Sequence, residues 1–245
     1  MPEIKILCAD ALSYLPPIAF FARALAADVY LVADDIQFST NGFCHRAKLK
    51  TSDGARMLSL PVLTKSRGQQ FIKKVEIDRS RHWQRRHWRS IEVNYCHAAY
   101  FEQFADELSE FYRQPYCFLR EVSLAFLNAL WRWLEIKSPL RMASEFPSAL
   151  KKEERLIEVA NKTGAQIYLC DEAYRNVLSR EAFDAASVRL QFSDFAGAAY
   201  PQLFGGFVSG LSVMDLLLNE GPQAARAYLE TIAKRVRREI TESVL

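Results

Sequence analysis

Residues 4–33 pass from a short apolar stretch, IKILC, through Pro16 and Pro17 into IAFFARALAA, and on to a second apolar stretch, VYLVA. Proline in the first turn of a helix forfeits no internal hydrogen bond, so the Pro-Pro pair suits a helix start. The flanking stretches are rich in branched residues and too short for buried helices, and read as strands. Strand, helix, strand at this spacing is a βαβ unit, whose strands lie parallel. A chain that begins this way is predicted to build an α/β sheet.

The rest of the chain extends the pattern. FCHRAKLK, ARMLSLPV and FIKKVEI form a β-rich segment, with SDG predicting a tight hairpin turn between the first two. Residues 80–136 are predicted to be helical. Trp83, His87, Ile91 and Tyr95 recur every four residues on a common face, and YCFLREVSLAFLNALWRWLEI is apolar around most of its circumference, as a central buried helix is. The α/β rhythm then returns as helix KKEERLIEVANKTG, strand AQIYLC, a helical turn at SREAFDAA and strand VRLQF, where Val188, Leu190 and Phe192 alternate with Arg189 and Gln191. Helices LSVMDLLLN and GPQAARAYLETIAKRVRREITE follow. The prediction is a single α/β domain over residues 1–245, with a mixed, mainly parallel Rossmann-like sheet and an inserted or appended helical subdomain at 80–136.

With 245 residues, 50% of them hydrophobic, the chain can bury a large core. No stretch approaches the roughly 18 to 20 uncharged apolar residues of a membrane span, and Glu3 and Lys5 do not fit a secretory leader. The expected protein is soluble and cytoplasmic, with no transmembrane segment. Its five cysteines are odd in number and never arranged as CxxC, which predicts reduced thiols rather than disulfides or a zinc site. A formal charge of +3 selects no partner. Basic clusters lie at 79–89, RSRHWQRRHWR, and at 234–238, KRVRR. Nucleic acid is not the expected partner, because Trp83 and Trp88 have core positions to fill. Arg79, Arg81, Arg85, Arg86 and Arg89 are read as a solvated face or a grip on a sugar-nucleotide phosphate.

The strand VYLVA runs straight into Asp34 and Asp35. Ligands of open α/β sheets gather at the carboxyl ends of parallel strands, and adjacent residues leaving a strand point in opposite directions. One carboxylate is therefore expected to face a crevice and the other to cap a turn. Magnesium binding, positioning of an amine, general-base catalysis and plain turn capping are all open to such a pair. Gln37, Asn41, His45 and Arg46 add hydrogen-bonding groups close by. Walker, GxGxxG and GxSxG signatures are absent. His87 is the general-base candidate, against the alternative of a buried structural imidazole. Ser209 or Ser212 reads as a helix cap, with Asp215, three residues after Ser212, as a capping-box partner, at a helix N-terminus that also suits an anion; Tyr200 and Gln202 lie on the loop before it. Cys8 is the cysteine nearest the crevice, should a thioester form.

The succession YLPPIAFFARALAADVYLVADDIQF, Arg46, LPV at 60–62, HWQRRHWRSIEVNYCHAAYFEQF and YPQLFGGFVSGLSVMDLLLNEG resembles the WbqC-like protein family across residues 4–221. The resemblance implies a place in bacterial O-antigen and polysaccharide biosynthesis, with transfer of an acyl or aminoacyl group to an amino sugar. The matching residues include Asp34, Asp35, Gln37, Arg46, Trp83, His87, Tyr95, Tyr200, Ser212, Asp215, Asn219 and Gly221. Two departures stand out: Ala11 and Leu12 replace a Gln-Pro pair, and CDEAYR replaces a small glycine-containing loop.

Asp35 and His87 are thus the catalytic candidates. Asp34, Gln37, Asn41, His45, Arg46, Trp83, Tyr200, Ser212 and Asp215 are the substrate-binding candidates. The expected substrate is a sugar nucleotide, with an acyl-CoA or activated amino acid as donor; no metal ligand set is identified, although magnesium fits the paired carboxylates. The alternatives are a nucleotide-binding adenylating enzyme and a non-catalytic binding or scaffold protein with the same fold.

Overall fold

The computed structural model describes residues 4–150 and 152–243; Glu3, read above as unsuited to a secretory leader, and the first lysine of the KKEER helix lie outside them. The βαβ unit forms as β1 (Ile6–Ala11), α1 (Ile18–Ala26) and β2 (Val29–Ala33), with β1 and β2 parallel and Cys8 opposite Tyr30. An antiparallel hairpin, β3 (Arg46–Thr51) and β4 (Gly54–Ser59), turns at Ser52 and Asp53, where Gly54 takes φ +100°. FIKKVEI is not a third strand. It winds through a 3-10 turn at Ile72–Lys74 and meets neighbouring backbone in isolated bridges rather than a ladder, because its buried Ile72, Val75 and Ile77 anchor a loop instead of alternating along a strand.

Three helices follow, α2 (Trp83–Tyr95), α3 (Phe101–Phe111) and α4 (Leu119–Trp133). All four residues of the predicted α2 face are buried, and α4 buries residues around most of its circumference, from Leu119 and Val122 to Phe126, Leu130 and Trp131. The chain then forms a two-residue strand β5 (Arg141–Met142), α5 (Lys152–Thr163), β6 (Ile167–Asp171), α6 (Arg180–Ala185), β7 (Arg189–Ser193) and α7 (Val213–Glu242). Helix α7 breaks at Gly221, whose φ of +79° only glycine adopts easily and where a Cβ would meet the Tyr100 ring at 2.6 Å. The predicted division into two helices falls at this break.

The main sheet is parallel throughout, ordered β5-β2-β1-β6-β7, and the antiparallel ladder β3–β4 forms a separate hairpin. Alternation along the strands makes two cores. Ile6, Cys8, Tyr30 and Leu169 face α1, α4 and α7, whereas Leu7, Leu31, Tyr168 and Leu190 face α5 and α6. This is a Rossmann-like three-layer α/β fold, with strand order reversing at β1 and β6. Among the described residues no helix is long and apolar enough to cross a membrane.

Candidate functional site

Asp34 and Asp35 diverge as alternation requires, but neither is left open. Asp34, 1% exposed, accepts from Arg120 Nε of α4 at 3.2 Å and from Ser144, through its backbone N at 3.2 Å and its Oγ at 3.0 Å. Asp35 takes a two-pronged bond from Arg155 of α5, at 2.9 and 2.8 Å, and the same guanidinium reaches the Ala143 carbonyl at 3.0 Å. The pair clamps the β5 edge and two helices to the end of β2. The expected division into one crevice residue and one turn cap therefore becomes two clamps. Gln37 and Asn41 lie exposed on the following loop.

The strand-order reversal holds a different polar group. Arg23, buried in α1, donates to both Asp10 oxygens, at 2.7 and 2.9 Å, and to Asp171 at 2.9 Å, while the Tyr30 hydroxyl donates to Asp10 at 2.8 Å. A buried guanidinium is held charged by these carboxylates against the cost of desolvation. Asp171 keeps 32% of its side chain exposed, beside the loop carrying half-exposed Tyr174. The departures Ala11, Leu12 and CDEAYR sit at these two strand ends. Asp10, Arg23 and Asp171 were not sequence candidates, although ILCAD, VYLVAD and IYLCD share one signal, an apolar run closing on aspartate. Cys8 lies in the buried face, where desolvation raises its thiol well above the ordinary value; that disfavours the thiolate a thioester would need.

A third group centres on His87. Its Nε2–H donates to the Ser59 carbonyl at 3.2 Å, so Nδ1 accepts from the Tyr14 hydroxyl at 3.1 Å, and Tyr112 donates in turn to Tyr14. Burial pushes the imidazole down to about 4, against a smaller upward pull from the Ser59 bond. Tyr14 belongs to the loop leaving β1, so this chain of bonds ties α2 to the carboxyl end of the central strand. Asp35 and His87 share no hydrogen-bond partner. His45, also pushed down to about 4 by burial and by Arg46, packs edge-on to Phe38 at 5.2 Å, and its buried Nδ1 lacks a partner among the described residues. Its carbonyl accepts from Leu60 N, and Arg46 pairs in register with Ser59, so His45, Arg46, Trp83 and His87 gather at the open end of the hairpin.

The remaining candidates meet at the start of α7. Ser212 Oγ caps the helix through Met214 N at 3.3 Å. Asp215 is not its capping-box partner. It is fully buried and accepts from Tyr95 at 2.8 Å, Tyr200 at 2.7 Å and Gln202 at 3.0 Å. Burial raises its carboxyl above the ordinary value, and these bonds and the Lys50 charge oppose the rise. Lys50, buried in β3 and absent from the sequence candidates, donates to the Gly205 carbonyl at 3.0 Å and to the Gly206 carbonyl, holding the glycine loop. Among the described residues no group of three or more His, Cys, Asp or Glu is arranged to hold a metal ion.

The sequence profile of the WbqC-like protein family matches residues 13–227. An uncharacterized Mycobacterium tuberculosis protein, Rv1507c, is 32% identical over 214 residues, covering 86% of this chain and 92% of its own. No solved structure matches the chain.

Proposed function

Because the chain belongs to the WbqC-like protein family, we propose that it is a transferase moving an acyl or aminoacyl group onto the amine of a nucleotide-linked sugar in bacterial surface-polysaccharide or O-antigen assembly. The observation that carries this reading is Asp171, a partly exposed carboxylate oriented by buried Arg23 where the strand order reverses. Ligands of open parallel sheets gather at that point. The amine nitrogen attacks the donor carbonyl carbon, a C–N bond forms, and the thioester or ester bond of an acyl-CoA or activated amino acid breaks. Asp171 takes the amine proton and passes it to the departing thiol or hydroxyl, which leaves neutral. Arg46, whose guanidinium has no ion-pair partner among the described residues, faces the developing oxyanion. Asp35 acts through Arg155 and His87 through Tyr14, as positioning groups rather than as direct proton acceptors.

Incubation with a uridine-diphosphate-linked amino sugar and either acetyl-CoA or a glycyl donor, followed by mass spectrometry, tests the reading. The acceptor gains the mass of the added group, and Asp171→Asn slows this by about a hundredfold, the scale of a lost general base. No product from either donor, or an unimpaired variant, contradicts it.

A second reading, a binding protein without turnover, is favoured by the saturation of Asp34, Asp35 and His87 by protein partners. It predicts that the sugar nucleotide raises the melting temperature while no donor is consumed.

A further inference from the structure

Along one flank, a groove of about 1110 Å³ runs between the β3–β4 hairpin and α2, slightly above the usual size of small-molecule sites. Five arginines line it, Arg56 from β4 and Arg81, Arg85, Arg86 and Arg89 from α2 and the turn before it, and its lining contains no aspartate or glutamate. Arg81 and Arg89 have surface partners in Asp78 and Glu92. Arg56, Arg85 and Arg86 have no carboxylate partner among the described residues. Arg85 and Arg89, four residues apart, share one side of α2, Arg81 stands on the turn before it, and Arg56 lies on the opposite wall. Unbalanced charge of one sign in a concave surface concentrates anions there, and the guanidinium fork matches phosphate oxygens in two-pronged fashion.

Two further observations narrow the ligand. Trp83, part of the groove lining and 1% exposed, has an indole N–H without a partner among the described residues. Met57 and Val93 keep exposed apolar surface in the same groove, so the ligand they suit is an anion attached to a less polar body. Stacking of nucleic-acid bases needs exposed aromatic faces, and the two tryptophans here are otherwise engaged, Trp83 by burial and Trp88 by stacking on Phe101.

The geometry points to a diphosphate-binding groove that takes the pyrophosphate of a nucleoside-diphosphate ligand between Arg56 and the α2 arginines. This assignment deepens the sugar-nucleotide reading above and rests on it for the identity of the whole substrate. His87 lines the groove, and its bond to Tyr14 runs on to the end of β1, which connects the phosphate site to the crevice.

Calorimetric titration with inorganic pyrophosphate and with uridine diphosphate tests the assignment on the whole chain. Both bind the unaltered protein. Arg56→Ala and the double variant Arg85→Ala/Arg86→Ala each weaken binding by about tenfold or more, the scale of a lost charge-assisted bond, while Arg238→Ala, on exposed α7 surface, leaves it unchanged. Unchanged melting temperatures show that the variants are folded. Absence of pyrophosphate binding, or equal affinity in the groove variants, overturns the proposal. So does groove-dependent sedimentation with phosphatidylglycerol vesicles, or groove-dependent capture of a single-stranded oligonucleotide, where pyrophosphate itself fails to bind. Groove-dependent pyrophosphate binding without acyl transfer upholds the groove and removes the transferase reading; acyl transfer with no groove-dependent binding does the reverse.

Discussion

Asp34 and Asp35 show how one residue's chemistry is decided by what its neighbours do with it. Both stand where a sheet presents ligand-binding groups, yet Arg120, Ser144 and Arg155 occupy their oxygens. The partners lie 86 to 120 residues further along the chain, so no local spacing could reveal them. His87 is similar: its burial was legible from its place in the row of Trp83, Ile91 and Tyr95, but Tyr14 and Ser59 were not. That environment has a measurable consequence. Folded, His87 titrates at about 4; unfolded, it takes up its proton near 6.5. Between those values the unfolded chain binds the extra proton, so stability falls as pH falls and the loss is complete below the folded value. His87 accounts for about 3 kcal/mol of this loss at about 1.4 kcal/mol per pH unit, and His45 adds a loss of the same sign. Urea unfolding from pH 7 to pH 4 should show a shallower decline for His87→Gln than for the unaltered protein. Parallel curves would contradict the neutral, buried imidazole.

At the scale of elements, the strands and helices with sustained periodicity were readable from sequence, including β2, β7 and the buried face of α2. Strand β5 was not, because two residues carry no period, and FIKKVEI misled because its apolar content serves loop anchoring. The start of α7 was read as a capping box on spacing alone. The structure instead joins Asp215 to Tyr95, Tyr200 and Gln202, with Lys50 pinning the glycine loop beside them. The pattern of RAKLKT does not distinguish Lys50 from the exposed Lys48, and the packing of the hairpin against α2 and α7 buries it. Asp215→Asn turns one acceptor oxygen into a donor facing donors and removes the charge near Lys50. The expected cost is about 2 to 4 kcal/mol, measured by urea unfolding at neutral pH. A loss below about 0.5 kcal/mol, the usual range for surface changes, would show that this cluster does not hold the loop.

For the whole molecule, the parallel order β5-β2-β1-β6-β7 reverses at β1 and β6, where open parallel sheets gather their ligands, and the proposed site lies there rather than at Asp34 and Asp35. The repeated closing of strands on aspartate was present in the sequence; which of those aspartates stays accessible depends on strand order, which the sequence pattern left open. On this reading the loops at the carboxyl ends of β1 and β6 receive the substrate. Hydrogen–deuterium exchange with and without a uridine-diphosphate-linked amino sugar tests it most directly. Bound ligand slows exchange in residues 11–15 and 171–175, the two loops that leave β1 and β6. Protection confined to residues 34–41, or no protection under saturating ligand, would contradict it.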